Sequence, residues 1–546
     1  MSESTHEVLN QSIPLENYNL YTSDTILQEV VKSEGGSWGE AKLTQFGKRV
    51  GSVEVIRWGF EANENPPVLK THDRFGYRID RVDFHPAWHS LMTTSIGNEI
   101  HSLPWTQPQK GAHVVRSALS FMIGQLEQGH GCPVTMTFAS IPALRVQPEI
   151  AKEWEPKIMS TLYDPEFKPA SQKKGLTIGM AMTEKQGGSD VRANTTRAVP
   201  VGSGGPGGEY LLTGHKWFCS APMCDAFLVL AQTPKGLSCF LVPRWKPDDV
   251  QNNFFIQRLK DKLGNRSNAS SEVEFSNTWG RMIGEEGRGV PTIIRMVNHT
   301  RLDCVIGSAA IMRQATVQAI HHCIYRSAFG KKLIDQALMK NVLADLALES
   351  EAATVLMMRL ARAYDAVDHE EESLFRRMAT AISKYWVCKR APSHVYEALE
   401  CLGGSGYVEE SILPRLYRDA PLNSIWEGSG NVNCLDMLRA MKQEPRTLEI
   451  LFSEIEKSGK ENRSLSTFVD QLKNQFPKAE EMERQARRFI ENLVLALQAS
   501  LLVRSSPSSV SDAFCATRLG RDWGNCFGTL PSSVPLDLII ERSRLK

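Results

Sequence analysis

From about Gly175 to Gly289 the chain changes texture, and this change limits the fold more than any other feature of the sequence. Short apolar runs at Leu176 to Met182, Tyr210 to Leu212, Ala226 to Ala231, Ser238 to Val242 and Ser271 to Phe275 are bounded by Gly, Pro, Ser or Asn, the punctuation of strands. The Gly-rich stretch from Val201 to Gly208 lies between two of them and reads as a mobile hairpin loop. Both flanks are helical in period. Phe46, Val50, Val53 and Ile56, then Val114, Val115, Leu119 and Met122, mark the first flank; Ile293, Val297, Leu302, Ile306 and Ala310 open the second, which continues through Leu338 to Tyr364 and Glu372 to Leu402. The fold class is therefore α+β and multidomain. Its expected regions are an N-terminal helical domain (1–175), a central β domain (176–289), a helical bundle (290–441) and a further helical region (442–546).

A chain of 546 residues exceeds what one core can organise, which agrees with several packed units. Lys+Arg 63 against Asp+Glu 62 leaves a net charge of +1, so no whole-molecule field recruits a polyanion. The 11 cysteines show no paired or zinc-type spacing, and a reduced compartment is expected. His321, His322 and Cys323 are adjacent, but neighbours on a helix point in different directions, so no metal is expected there. No apolar run approaches the roughly 20 residues of a membrane span. Ser543-Arg544-Leu545 is followed by Lys546, which spoils a peroxisomal address. A cytoplasmic location is expected, with peroxisome and mitochondrion as alternatives.

Three separated motifs carry the chemistry. Met182-Thr183-Glu184-Lys185-Gln186-Gly187-Gly188-Ser189-Asp190-Val191 ends the first strand; its glycines let backbone approach a flat ligand while its hydroxyls offer donors, although a plain Ser/Gly turn reads equally well. Thr213-Gly214-His215-Lys216-Trp217-Phe218-Cys219-Ser220 places two aromatics before a hydroxyl. They could wall an aromatic cofactor, but taken alone core packing is the safer reading. The third motif runs from Glu400-Cys401-Leu402-Gly403-Gly404-Ser405-Gly406-Tyr407 to Asn423-Ser424-Ile425-Trp426-Glu427-Gly428-Ser429-Gly430-Asn431. A carboxylate beside Trp426 would be partly desolvated and its pKa raised towards a working base; a solvated loop glutamate is the plainer alternative.

In this order, with Gly264, Arg266, Arg301 and Arg326-Ser327-Ala328-Phe329-Gly330 between them, the motifs resemble the acyl-CoA dehydrogenase family. Lys260-Asp261-Lys262-Leu263-Gly264-Asn265-Arg266-Ser267, Asp83-Phe84-His85-Pro86-Ala87-Trp88-His89 and Cys132 to Phe138 resemble its AidB subgroup, the alkylation-response flavoproteins. The resemblance implies that family's fold, with a barrel-like central domain, an FAD cofactor and an acyl-CoA thioester substrate. It implies Glu427 as the catalytic base, and flavin contacts at Met182, Thr183, Gly188, Ser189, Phe218, Cys219, Ser220, Gly403, Gly404, Ile425, Trp426, Gly428 and Asn431. Ser189 and Arg301 are implied at the substrate. Arg326 and Phe329 match residues that reach a neighbouring subunit's FAD, so a homotetramer of two dimers is implied. The electron acceptor, whether an electron-transfer flavoprotein, oxygen or none, is left open.

Two positions depart from the family pattern. Thr300 stands where some members keep their base and cannot serve as one, and Ala337, with Gln336 one place early, stands where many carry glutamine. In the last hundred residues Arg484, Arg487 and Arg488 share a helical face, with Arg504, Arg518 and Arg521 beyond them. The AidB likeness associates this region with duplex DNA. Glu480, Glu481, Glu483 and Glu491 are interleaved with the arginines, as on an ordinary solvated face.

Overall fold

The computed structural model describes residues 5–366, 368–458, 461–474 and 480–546. The chain forms two compact units, one from Glu54–Ala112 and Leu126–Asp303, the other from Met1–Val53, His113–Gln125 and Cys304–Lys546.

The first unit is built on a closed sheet. A small hairpin, β1 (Val68–His72) and β2 (Arg78–Asp83), precedes it, inside a stretch whose period reads as helical. The seven main strands are β3 (Ile178–Ala181), β4 (Arg197–Pro200), β5 (Glu209–Ser220), β6 (Ala226–Thr233), β7 (Gly236–Pro243), β8 (Phe254–Leu259) and β9 (Ser270–Ile283). The path β4-β5-β9-β7-β6 returns to β4 through Arg197 and Gln232, with β3 added to β6 and β8 to β9. Closure explains the apolar run Ala226–Ala231, which is buried throughout: a strand covered on both faces has no polar alternation to show. The β4–β5 loop is the Gly-rich stretch that reads as mobile, but its far end is tied down. Gly207 N–H donates to Met282 O, and Met282 N–H to Gly208 O, both at 3.0 Å.

Two helices of this unit bear on function. Pro86–Gly97 starts with Pro at its first turn, and the imidazole of His85 accepts from Ala87 N–H at 3.2 Å, so the motif around Asp83 to His89 is a helix start. Gly131–Leu144 is almost wholly buried, and its Thr137 hydroxyl accepts the first N–H of β3, from Ile178, at 3.0 Å.

The second unit is helical. Ala337–Asp365 and Glu370–Cys401 are its longest complete members, and a small turn formed by β10 (Ser327–Ala328) and β11 (Lys331–Lys332) precedes them. The residues after Met441 add Arg446–Glu456, Arg463–Asn474, Met482–Ser505 and Leu536–Ser543. Buried ion pairs fasten this region to the long helices. Arg359 pairs with Glu454 at 2.7 Å and Glu372 at 2.9 Å, while Glu454 also takes Arg504 at 2.9 Å and Lys457 at 2.6 Å. Burial works against the Glu454 charge, and these cations outweigh it, holding the carboxyl well below the usual range. Arg518 meets Asp345 at 2.5 Å and Glu349 at 3.2 Å, and Arg542 meets Glu351 at 2.9 Å. Removing one partner of such a pair typically costs about 3–5 kcal/mol, so the region belongs to the helical core. Among the described residues no helix is long and apolar enough to cross a membrane.

Candidate active site

In the sheet unit the first two motifs form one structure. Trp217 N–H donates to Thr183 O at 2.8 Å. Beneath them Lys216, buried, donates to Glu184 at 2.8 Å, to Leu230 O at 2.8 Å and to Met182 O at 3.4 Å, and Glu184 accepts Thr195 N–H at 2.6 Å. Burial opposes the Glu184 charge, but the Lys216 ammonium and the surrounding N–H groups hold its carboxyl far below the ordinary range. Burial likewise pulls Lys216 down, to about 8, against the attraction of Glu184. This pair fixes the end of β3 from below. Above it Lys185 to Asp190 are exposed, with Met182 and Thr183 half-buried. Gly188 must lack a side chain, because a Cβ would lie 2.4 Å from Thr183 Oγ1.

The aromatic pair corrects the expectation of core packing. The β5–β9 register shifts between Lys216 and Cys219, and a bulge of this kind re-aims the residues inside it. As a result Trp217 is half-buried and Phe218 is 49% exposed, although they are consecutive. Cys219 turns fully inward, so of the expected flavin contacts it alone in this strand can offer only backbone. Lys260 places its ammonium 3.3 Å from the Trp217 ring centre and 4.6 Å from that of Phe218, a cation–π arrangement not evident in the sequence. Ser220 is half-buried beside Ser270, their hydroxyls 3.4 Å apart. Arg301 is buried.

In the helical unit Glu427 sits in a strained turn. Its φ is +58°, a left-handed conformation rare for glutamate, and Gly428 follows at +100°. Three groups hold this turn. Lys384, buried on the Glu370–Cys401 helix, donates to Trp426 O at 2.7 Å and to Gly428 O. Asn433 donates to Gly428 O at 2.7 Å and Ser429 O at 3.0 Å, and the Trp426 indole donates to Asn423 at 3.0 Å. The glutamate is thus bracketed by two carbonyls tied to one lysine. Sequence reading overlooks Lys384 and Asn433; the only signal was a lone lysine in the apolar run Ala381 to Val387.

The remaining expected contacts of this unit are on its surface. Ile425 is 63% exposed, and Gly403 and Gly404 are exposed, with no atom within 4 Å of where a Cβ would stand. Asn431 is exposed and accepts from Arg487 at 2.8 Å. Phe329 projects at the β10–β11 turn, 98% exposed. Arg326 donates to Asn10 O at 2.7 Å, while the Asn10 amide pairs with both backbone groups of Ser327, at 2.8 and 2.7 Å. The His321 and His322 imidazoles meet Ile13 O at 2.8 Å and the Ser12 hydroxyl at 3.3 Å, separately. Arg484, Arg487 and Arg488 are exposed, but Arg504 and Arg518, read alongside them, are consumed by the ion pairs above.

The chain is similar to known proteins along most of its length. Residues 10–165 match the adaptive response protein AidB N-terminal domain, 179–278 the acyl-CoA dehydrogenase middle domain and 287–442 the acyl-CoA dehydrogenase C-terminal domain. AidB of Escherichia coli (strain K12) is 46% identical over 95% of both chains. Acyl-CoA dehydrogenase family member 11 of Caenorhabditis elegans is 30% identical over 86% of this chain and 75% of its own. The crystal structure of Caenorhabditis elegans ACDH-11 in complex with C11-CoA superposes with a TM-score of 0.87 at 26% identity, covering 95% of this chain and 94% of that one. Helical, sheet and helical regions in this order, with these family matches, place the chain among oxidoreductases of the acyl-CoA dehydrogenase type. The chain belongs to the acyl-CoA dehydrogenase family, with the N-terminal domain of AidB, and FAD is the family's cofactor.

The residues fit that cofactor. An exposed aromatic face at Phe218, hydroxyls at Thr183, Ser189 and Ser220, and a loop stripped to Gly188 suit a flat ring with a polar edge.

Proposed function

We propose that the chain performs FAD-dependent α,β-dehydrogenation of an acyl-CoA thioester, with Glu427 as the base. The observation that carries this reading is the strained turn at Glu427, with φ +58°, held by Lys384 and Asn433. Left-handed glutamate costs on the order of 1–3 kcal/mol and persists where surrounding structure over-determines it, as at active sites. In the sheet unit Met182, Thr183, Gly188, Ser189, Phe218 and Ser220 would hold the flavin ring, and in the helical unit Gly403, Gly404, Trp426 and Asn431 are the proposed cofactor contacts. FAD bound there would accept the β-hydride of the acyl chain. Glu427 takes the α-proton, made acidic by the hydrogen-bonded thioester carbonyl. The complex of ACDH-11 with C11-CoA supports an acyl-CoA as substrate. The exposed Phe329 turn supports a homotetramer of two dimers, in which Arg326 and Phe329 serve a neighbouring subunit's cofactor. Anaerobic mixing of the purified yellow protein with a panel of acyl-CoAs is expected to bleach the flavin band; no bleaching with any member would refute dehydrogenation.

A second reading rests on one observation: Arg484, Arg487 and Arg488 are all exposed on one stretch of the Met482–Ser505 helix. We infer a phosphate-binding face for duplex DNA, serving an AidB-like protective role. Replacing Arg484 and Arg488 with Ala is expected to lower the slope of log affinity against log salt by about 2. An unchanged slope would remove this face from consideration.

A further inference from the structure

Near the start of the chain Asn10, Ser12 and Ile13 are fastened in turn to the end of the Gly289–Tyr325 helix and to the β10–β11 hairpin that follows it. The Asn10 side-chain amide donates to Ser327 O at 2.8 Å and accepts Ser327 N–H at 2.7 Å, while its backbone carbonyl accepts from Arg326 Nη1 at 2.7 Å. These two Ser327 groups are the ones that the hairpin itself leaves unused. Ser327 lies opposite Lys332, between the Ala328–Lys331 pair at the loop and the Arg326–Leu333 pair, where Leu333 N–H donates to Arg326 O at 2.9 Å. Alternate pairs of an antiparallel ladder turn their N–H and C=O outward, so the Asn10 amide stands in for a third strand.

Asn10 has φ +58°, in a region that Gly, Asn and Asp enter most readily. Glycine has no amide, and aspartate has acceptors but no donor, so of these three only asparagine meets both Ser327 groups. The loop that it clamps is strained as well. Phe329 and Gly330 have φ +52° and +77°, the two left-handed positions of a two-residue turn whose first place ordinarily takes Asn, Asp or Gly. Phenylalanine carries strain there, and its ring, 98% exposed, makes little contact within its own subunit. Gln336 holds the other side of the hairpin, donating to Ala328 O at 2.8 Å. A turn clamped from two sides around a ring that its own subunit does not bury is built to aim that ring outward.

We propose that Asn10 is a positioning residue for the FAD of a neighbouring subunit: by clamping Ser327 it aims the Phe329 ring and the Arg326 guanidinium at that cofactor. This rests on the reading above, in which Arg326 and Phe329 serve a neighbouring subunit, and adds the residue that sets their direction. Phe329 lies two residues beyond Ser327, so a small pivot at the base of the hairpin is magnified at its tip. With the amide in place the tip is ordered before the cofactor arrives. Prior ordering of this kind strengthens binding without any contact between Asn10 and FAD.

The test is dissociation of FAD from the holoprotein on dilution, followed by flavin fluorescence, in Asn10→Gly, Asn10→Asp, Phe329→Ala and the Asn10→Gly/Phe329→Ala double variant, with light scattering to read assembly. Glycine accepts φ +58° and keeps the carbonyl that holds Arg326, so it removes the amide alone; position 10 is exposed, and folding is spared. Asn10→Gly is expected to weaken FAD binding roughly tenfold, the order set by losing two neutral hydrogen bonds. Asn10→Asp, which turns a carboxylate towards Ser327 O, is expected to weaken it in the same direction. Phe329→Ala is expected to weaken binding at least as much, and the double variant to match Phe329→Ala, because Asn10 acts through the hairpin tip. Unchanged FAD affinity in both Asn10 variants, or an Asn10→Gly effect that adds in full to that of Phe329→Ala, would overturn the assignment while leaving the cross-subunit reading in place. A monomeric holoprotein, or Phe329→Ala that holds FAD as the unaltered chain does, would remove the cross-subunit reading and the assignment with it. Affinity is read without turnover, so a flavin that no acyl-CoA bleaches would sink the dehydrogenase reading alone.

Discussion

Glu427→Gln is expected to lower the rate of flavin reduction by an acyl-CoA by about a thousandfold or more while the protein stays yellow. The amide keeps the size and the hydrogen-bonding reach of the carboxylate but cannot accept the α-proton, and a positioned base is worth roughly 10²–10⁴ in rate. The effect falls on the chemical step, so ligand affinity should change little. The φ of +58° is a property of the backbone and of its clamps, so the substitution leaves the turn in place. Thr300, buried on the Gly289–Tyr325 helix, has no ionisable group to take over. Bleaching at an undiminished rate would show that the base lies elsewhere.

Lys384→Met is the second large effect. The ammonium of Lys384 joins the carbonyls of Trp426 and Gly428, the two residues flanking Glu427. Hydrogen bonds from a charged donor contribute about 1.5–3 kcal/mol each, which is enough to offset the strain stored at a left-handed glutamate. Methionine fills the volume and removes both bonds. The turn then relaxes towards ordinary backbone and carries the Glu427 carboxylate off line, at a cost of roughly a hundredfold in reduction rate. A merely structural lysine would lower the melting temperature and leave the rate of the surviving folded fraction unchanged. The positioning role predicts a fall in kcat per folded flavin, with partial recovery in Lys384→Arg. An unaltered kcat in folded Lys384→Met would contradict it.

How far this architecture could be read in advance depended on burial. The run Ala226–Ala231 was visible because both faces of β6 are covered and nothing interrupts its apolar character. The β1–β2 hairpin escaped notice because it is largely exposed, and its polar residues hide the alternation that marks a strand. The outward turn of Phe218 was equally hidden: two adjacent aromatics cannot share one face of a regular strand, and only the extra residue at the β5 bulge brings both Trp217 and Phe218 to the surface. Glu427 was legible through its motif, but its strain was not, because φ is set by Lys384, forty-three positions earlier in the numbering, and by Asn433. The fates of Arg504 and Arg518 show the same limit. Their spacing reads as a basic surface, and only tertiary packing reveals Glu454 and Asp345 as their partners.

In the proposed reaction Glu427 and FAD act on adjacent carbons of one thioester. Stopped-flow bleaching of the flavin by an acyl-CoA deuterated at the α-carbon, and separately at the β-carbon, tests it most directly. Deuterium at either carbon is expected to slow bleaching, and Glu427→Gln to abolish the fast phase. Bleaching indifferent to deuterium at both carbons while the reduction step itself is observed, or abolished by neither label nor variant, would contradict it.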